Sequence, residues 1–213
     1  MRVAKPEDIE ALNCGVQQLD LNIGPNQLEQ ICQYLDLLRR WNSKFNLISR
    51  RDEDRLVARH ILDCLTIVPM VRGPNLLDIG SGAGFPGLLV AVARPDLEIC
   101  LLDRHQRKTR FLKLAARAMG LTNVEVVCEN LSESLFLGPF GALCARGVGA
   151  ASTLWVRANH LIAPEGRLIV MQRTQDQDNI ALDIPGTACS SHWVEIPGLN
   201  REHEIVTVER LAG

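Results

Sequence analysis

The sequence predicts an α/β protein: a doubly wound sheet of five parallel strands, closed by a C-terminal antiparallel hairpin and carrying an N-terminal helical cap. Three observations predict it. Apolar residues recur at helical spacing within residues 1–70, short apolar runs alternate with helical segments from Asn75 onward, and the last two apolar runs are joined by a short turn containing proline and glycine. At 213 residues, 46% apolar and 23% charged, the chain is sized for one compact unit, divided here into a cap (1–70) and a sheet-bearing part (71–213).

In the cap, Leu28, Ile31, Cys32, Leu35 and Leu38 fall on one face of a helix, and Asn26 with Glu29 resembles a capping box at its start. A second helix is expected from about Asp52 to Val68, with Val57, Ile61, Cys64, Leu65 and Val68 inward. The predicted strands are Leu76–Ile79, Ile99–Leu102, Val124–Cys128, Ala142–Ala145 and Leu168–Met171. Each of the first four is followed by a polar or glycine-rich turn and then a possible helix. His192–Ile196 and Glu204–Glu209 form the terminal pair. Ligands of such sheets bind where the loops gather, at the carboxyl ends of the strands.

Composition excludes several classes. The N-terminus lacks the apolar stretch of ~7–15 residues that a signal peptide needs, and the longest apolar run, Leu88–Ala93, falls far short of the ~18–20 residues that cross a bilayer. A cytoplasmic protein with no membrane contact is expected. The seven cysteines form no Cys-x-x-Cys, so no metal site is signalled, and Cys100, Cys128 and Cys144 read as small buried apolar residues. A net charge of −2 argues against coating nucleic acid over the whole surface, so any contact with it must be a local patch.

The strongest signal is Asn75-Leu-Leu-Asp-Ile-Gly-Ser-Gly-Ala-Gly-Phe-Pro-Gly-Leu88. A strand runs into Gly80, Gly82, Gly84 and Gly87, with Pro86 where a helix should begin. Such a turn lets the backbone approach a ligand closely, and the following helix start offers N–H groups to an anion. Gly82 to Gly87 matches the dinucleotide fingerprint, so a nicotinamide-dependent oxidoreductase is one reading. S-adenosyl-L-methionine is the other. Pro86 removes a donor that a pyrophosphate would use, and Asp78 is positioned in the sequence to orient the ammonium of an amino-acid moiety, directly or through water. Asp103, ending the next strand, can accept both ribose hydroxyls, or can simply cap the helix beginning near Arg104.

Beyond these motifs, Tyr34-Leu-Asp-Leu-Leu-Arg-Arg-Trp-Asn-Ser-Lys-Phe-Asn-Leu47, His60-Ile-Leu-Asp-Cys64, the glycine-rich run, Leu101-Leu-Asp-Arg104 and Arg110-Phe-Leu112 together resemble the glucose-inhibited division protein B family, the small-subunit ribosomal RNA guanine-N7 methyltransferases. The resemblance runs in register over roughly residues 30 to 150. It implies the class I methyltransferase, Rossmann-like fold, with cofactor contacts at Gly80, Phe85, Leu131, Ser132 and Arg146. The chain departs from the family pattern at Ser132, where an acid is usual and Glu133 is adjacent, at Gly141, and at Gln172-Arg173. The substrate implied is guanine N7 of small-subunit (16S) ribosomal RNA, alone or in an assembled ribonucleoprotein, with the protein expected to act as a monomer.

Two basic segments suit such a partner. Residues 39–59 hold seven Arg or Lys against three acids, and residues 104–117 hold six and no acid. In the second, Arg110, Lys113 and Arg117 fall opposite Phe111, Ala115 and Met119. Trp41 is expected to pack within the cap, and His60 to pair with Asp63 at i, i+3. Because guanine N7 carries a lone pair and no hydrogen, alignment rather than a general base is required, and Arg146 is the catalytic candidate. Two alternatives stand beside this reading: the oxidoreductase, and a non-catalytic ribosome-associated RNA-binding factor.

Overall fold

The computed structural model describes residues 4–172, 184–199 and 202–211. Its strands are β1 (Asn75–Ile79), β2 (Glu98–Leu102), β3 (Val124–Val127), β4 (Phe140–Arg146), β5 (Ile162–Met171), β6 (Thr187–Glu195) and β7 (Glu202–Arg210), and its helices are α1 (Pro6–Gln18), α2 (Pro25–Phe45), α3 (Asp63–Leu65), α4 (Gly87–Ala93), α5 (Gln106–Ala118) and α6 (Ala151–Ala158). The strands form one seven-stranded sheet in the order β3-β2-β1-β4-β5-β7-β6. The first five are parallel; β7 pairs antiparallel with β5, and β6 antiparallel with β7. The order reverses between β1 and β4, the position at which doubly wound sheets open a crevice.

Both faces of the sheet are covered, which is why β1 and β4 read as continuous apolar runs rather than alternating ones. On one face, Leu76, Leu101 and Cys144 pack with α4, α5 and the cap residues Ile31, Leu35 and Ile61 in one continuous core. On the other, Leu77, Leu102 and Leu143 meet Leu154 and Trp155 of α6. The cap is thus one layer of the sheet's own core.

Several local expectations change. Helix α2 begins at Pro25, and Gln27 Oε1 accepts from the Gly24 N–H at 2.7 Å, so its cap is one-sided and lies two residues before Asn26 and Glu29. The helix expected over Asp52–Val68 is broken into a 3-10 segment (Arg50–Arg55), a π-helical segment (Val57–Leu62), α3 and a 3-10 turn (Val68–Met70), while its five apolar residues are buried as expected. No helix follows β3. Residues 128–139 there form a loop ending in Gly138-Pro139, held down by Leu131, Leu135 and Leu137 against the second core. Cys100 and Cys144 are buried, but Cys128 is exposed because it begins that loop.

Candidate active site

The glycine-rich turn leaves β1 at the sheet's reversal point and is tied down by the protein itself. Gly80 and Ser81 donate to the Leu102 carbonyl at 2.8 and 3.1 Å, while Gly84 and Phe85 donate to the Ser81 carbonyl at 2.7 and 3.0 Å. From the cap, the buried Tyr34 hydroxyl donates to the Ala83 carbonyl at 2.6 Å. Gly80 and Gly82 have φ of +71° and +58°, which a side chain would strain. A Cβ on Gly80 would stand 2.7 Å from Val148 Cγ2, whereas one on Gly82 would meet only the Gly80 carbonyl, at 3.7 Å. Gly82 therefore faces open cleft.

That cleft, of about 590 Å³, lies over the carboxyl ends of β1, β2, β3 and β4. Six of the expected residues line it: Gly80, Gly82, Phe85, Asp103, Leu131 and Arg146. Three do not line it. Asp78 is sealed from solvent; its Oδ2 accepts from the Gly87 N–H at 3.0 Å and its Oδ1 from Cys144 Sγ at 3.6 Å. The helix-start donor expected to meet an anion is therefore taken by Asp78. Burial raises the Asp78 carboxyl to about 6, against the lowering effect of those donors. Gly84 is a packing glycine, since a Cβ there would stand 2.3 Å from Leu88 Cδ1. Ser132 lies beyond Leu131, its Oγ 3.1 Å from that of Ser134.

Asp103 does not cap α5, whose N-cap is His105. Its Oδ2 accepts from the Gly82 N–H at 3.0 Å and its Oδ1 from the His105 N–H at 2.8 Å, so it clamps the glycine turn to the loop after β2. Each oxygen keeps a free lone pair, and a carboxylate with both oxygens so disposed can still accept two ribose hydroxyls.

Arg146 ends β4 and is held on three sides. Its Nη2 sits 2.8 Å from Asp63 Oδ2 and donates to the Arg59 carbonyl at 2.8 Å, and its Nη1 donates to His60 Nδ1 at 2.9 Å. His60 and Asp63 are thus joined through Arg146 rather than to each other. His203 Nδ1 lies 2.7 Å from the other Asp63 oxygen. Burial and the neighbouring guanidinium lower His60 to about 4 and keep it neutral, as an acceptor for Arg146 must be. The His60 ring stacks on Phe85 at 5.0 Å and 13°, and the guanidinium carbon of Arg146 lies 5.6 Å from the centre of the Phe85 ring.

Sequence reasoning singled out neither Glu129 nor Asn130, which follow β3 and line the cleft, nor Ser49 and Asp52, which the cap contributes to it. The first two carried a signal, since they directly follow a predicted strand. The cap residues carried none, because only tertiary packing brings them over the sheet.

The model of the ribosomal RNA small subunit methyltransferase G family (GidB) matches residues 27–204. The chain belongs to this family. A curated member from Chromobacterium violaceum is 37% identical over 197 residues, covering 92% of this chain and 94% of that protein. Among solved structures, a putative O-methyltransferase from Klebsiella pneumoniae superposes with a TM-score of 0.59 at 11% identity, over 95% of this chain and 97% of that one. A SAM-dependent O-methyltransferase from Thermotoga maritima gives 0.55 at 14% identity, over 71% and 66%. At such identities the structural likeness speaks to the fold alone, the class I methyltransferase arrangement. Family membership favours the methyltransferase reading over the oxidoreductase and over a non-catalytic RNA-binding factor.

Gly141 was a departure from the family pattern that bore on the substrate side. It lies at the amino end of β4, opposite the cleft, where a Cβ would stand 2.8 Å from the Arg72 carbonyl oxygen and 2.8 Å from Gly73 Cα. Its glycine is explained by that close approach. Gln172 lines an adjoining cavity rather than this cleft, while Arg173 falls outside the described residues.

Proposed function

We propose that the protein transfers the methyl group of S-adenosylmethionine to N7 of a guanine in small-subunit ribosomal RNA. The observation that carries this reading is the meeting of an open, positive-φ glycine turn with the Asp103 carboxylate at the sheet's reversal point, in a chain of this family. Asp103 would take the ribose hydroxyls, Gly80 and Gly82 would leave room for the nucleoside, Leu131 and Phe85 would supply apolar walls, and Arg146 would fix the reacting end. Asp78 and Gly84 support that surface from behind. When bound, S-adenosylmethionine supplies a sulfonium methyl, which the N7 lone pair takes as the S–C bond breaks, leaving S-adenosylhomocysteine with no proton to move. The protein's part is alignment, for which positioning can contribute ~7–11 kcal/mol. The same chemistry needs neither a base nor a metal, and we read the protein as a cytoplasmic monomer.

Charge placement supports an RNA partner. Arg110, Lys113 and Arg117 are exposed along α5 while Phe111, Ala115 and Met119 are buried, and none of the three cations is in an ion pair among the described residues. Of the basic residues in the other segment, Arg39 is held by Asp8 at 2.7 Å and Arg59 by Asp52 at 3.0 Å, leaving Arg40, Lys44, Arg51 and Arg55 exposed.

Two measurements test the reading. Small-subunit RNA incubated with the protein and S-adenosylmethionine should acquire a site cleaved by borohydride and aniline, the chemistry specific to 7-methylguanine; absence of that site removes the assignment of N7. By calorimetry, Asp103→Ala should weaken S-adenosylmethionine binding by about 1–3 kcal/mol, the range for hydrogen bonds to a charged group. An unchanged affinity would leave Asp103 as a structural tie only.

A further inference from the structure

A second cavity, of about 1020 Å³, adjoins the cofactor cleft on the β4 and β5 side. The two share Ser49, Asp52, His60, Arg146 and Gly147, so a common wall stands at the reversal point of the sheet. The glycine turn and Asp103 face only the first cavity, while Met171, Gln172 and His203 face only the second. Among the described residues, Met171 is the only apolar side chain lining the second cavity, which therefore suits a polar, charged ligand.

Its charges divide unequally. Arg59 is held by Asp52 at 3.0 Å, and Arg146 by Asp63 at 2.8 Å. Arg51 and Arg55 are exposed and, like Asp54, in no ion pair among the described residues. The Arg51 backbone N–H donates to Ser49 Oγ at 3.3 Å, which ties it to a residue of the common wall. The inner wall is thus internally neutralised, and the free guanidiniums of Arg51 and Arg55 stand near its outer edge. An unsatisfied cation beside a polar chamber, itself next to a cofactor cleft, matches a nucleotide: the base deep and the phosphate outside.

We infer that this second cavity receives the nucleotide to be methylated, turned out of its strand, with the base against the wall formed by His60 and Arg146 and with Arg51 holding the nucleotide's backbone phosphate. The inference rests on the methyltransferase reading and goes further in assigning the acceptor its own chamber. A stacked, paired base cannot enter such a chamber, so the substrate nucleotide is one that is unpaired or extruded. Arg51 acts on binding rather than on chemistry. His60, neutral and locked by Arg146, gives the base a rigid edge.

The experiment is steady-state methylation of small-subunit RNA by the full-length protein, with S-adenosylmethionine affinity measured in parallel by calorimetry. Arg51→Gln should raise KM for RNA about tenfold, the effect of one charge-assisted bond, with kcat little changed and cofactor affinity unaltered. Arg51→Lys should restore most of the loss, since a phosphate accepts either cation. Gln172→Trp, which adds bulk to the second cavity alone, should abolish methylation while S-adenosylmethionine still binds. An unchanged KM in Arg51→Gln, or a methylation rate that survives Gln172→Trp, overturns the inference while leaving the methyltransferase reading intact. Failure of the wild-type protein to bind S-adenosylmethionine overturns both.

Discussion

At Asp78 the side chain is closed off from water, and burial lifts its carboxyl to about 6. The unfolded value is near ~3.9, so between about pH 4 and pH 6 the folded state binds the extra proton and stability falls as pH rises through that window. Asp78→Asn keeps a carbonyl oxygen to accept from the Gly87 N–H but cannot ionise. Relative to wild type, the variant should therefore gain on the order of 2–3 kcal/mol in unfolding free energy between pH 4 and pH 7. Urea melts across that range check it, and parallel pH profiles would show that Asp78 titrates normally. The contrast with Asp103 marks what a sequence can disclose at this scale. Both aspartates end a strand at the carboxyl side of the sheet, and both are placed there correctly by pattern. Whether a strand-end carboxylate faces a ligand or a neighbouring backbone depends on which N–H approaches it: the Gly87 N–H for Asp78, the Gly82 and His105 N–H groups for Asp103. That choice belongs to packing.

Among the elements, α5 is the one whose faces are most nearly written in its residues. Its apolar stripe is buried and its cations point outward, because a 13-residue helix on a sheet can bury only one side. If Arg110, Lys113 and Arg117 neutralise RNA phosphates, replacing all three with Gln should make the slope of log affinity for RNA against log salt shallower by about 0.7–0.9 per lost contact. Cofactor affinity should not change, since the stripe leads away from the cleft. A slope identical to wild type would reduce the stripe to a solvated face. The segment from Arg50 to Leu65 was less legible. Val57, Ile61, Cys64 and Leu65 announce a buried helical face, but whether a carbonyl accepts from three, four or five residues onward makes little difference to apolar spacing over so short a run. Likewise the loop after β3 could not be told from a helix by its leucines, which pack as a loop does, at irregular intervals.

For the whole molecule, the decisive fact is that cap and sheet share one core. Apolar periodicity located every strand among the described residues and the cap helix α2, while the cofactor was read from the glycine-rich turn and the base from the resemblance to the family. The docking of cap on sheet was not legible, because long-range ties such as that from Tyr34 to Ala83 join residues whose identities do not advertise each other. Tyr34→Phe leaves the Ala83 carbonyl without its partner, at a cost of about 1–3 kcal/mol. In a chain of this size each kcal/mol should lower Tm by roughly 2–4 °C. S-adenosylmethionine affinity should fall as well, because the turn proposed to cradle it loses its brace. A variant with wild-type Tm and affinity would show that the cap merely rests on the turn. The bonds that hold that turn, from Gly82 to Asp103 and from Gly84 and Phe85 to Ser81, all lie within the protein. On the proposed assignment the cofactor therefore meets a surface already in its binding form, and the protein surrenders little chain entropy when it settles there. Nor does departure of the spent cofactor wait on the turn's reopening, so the residence time of each bound nucleoside is set by the lifetimes of its own contacts.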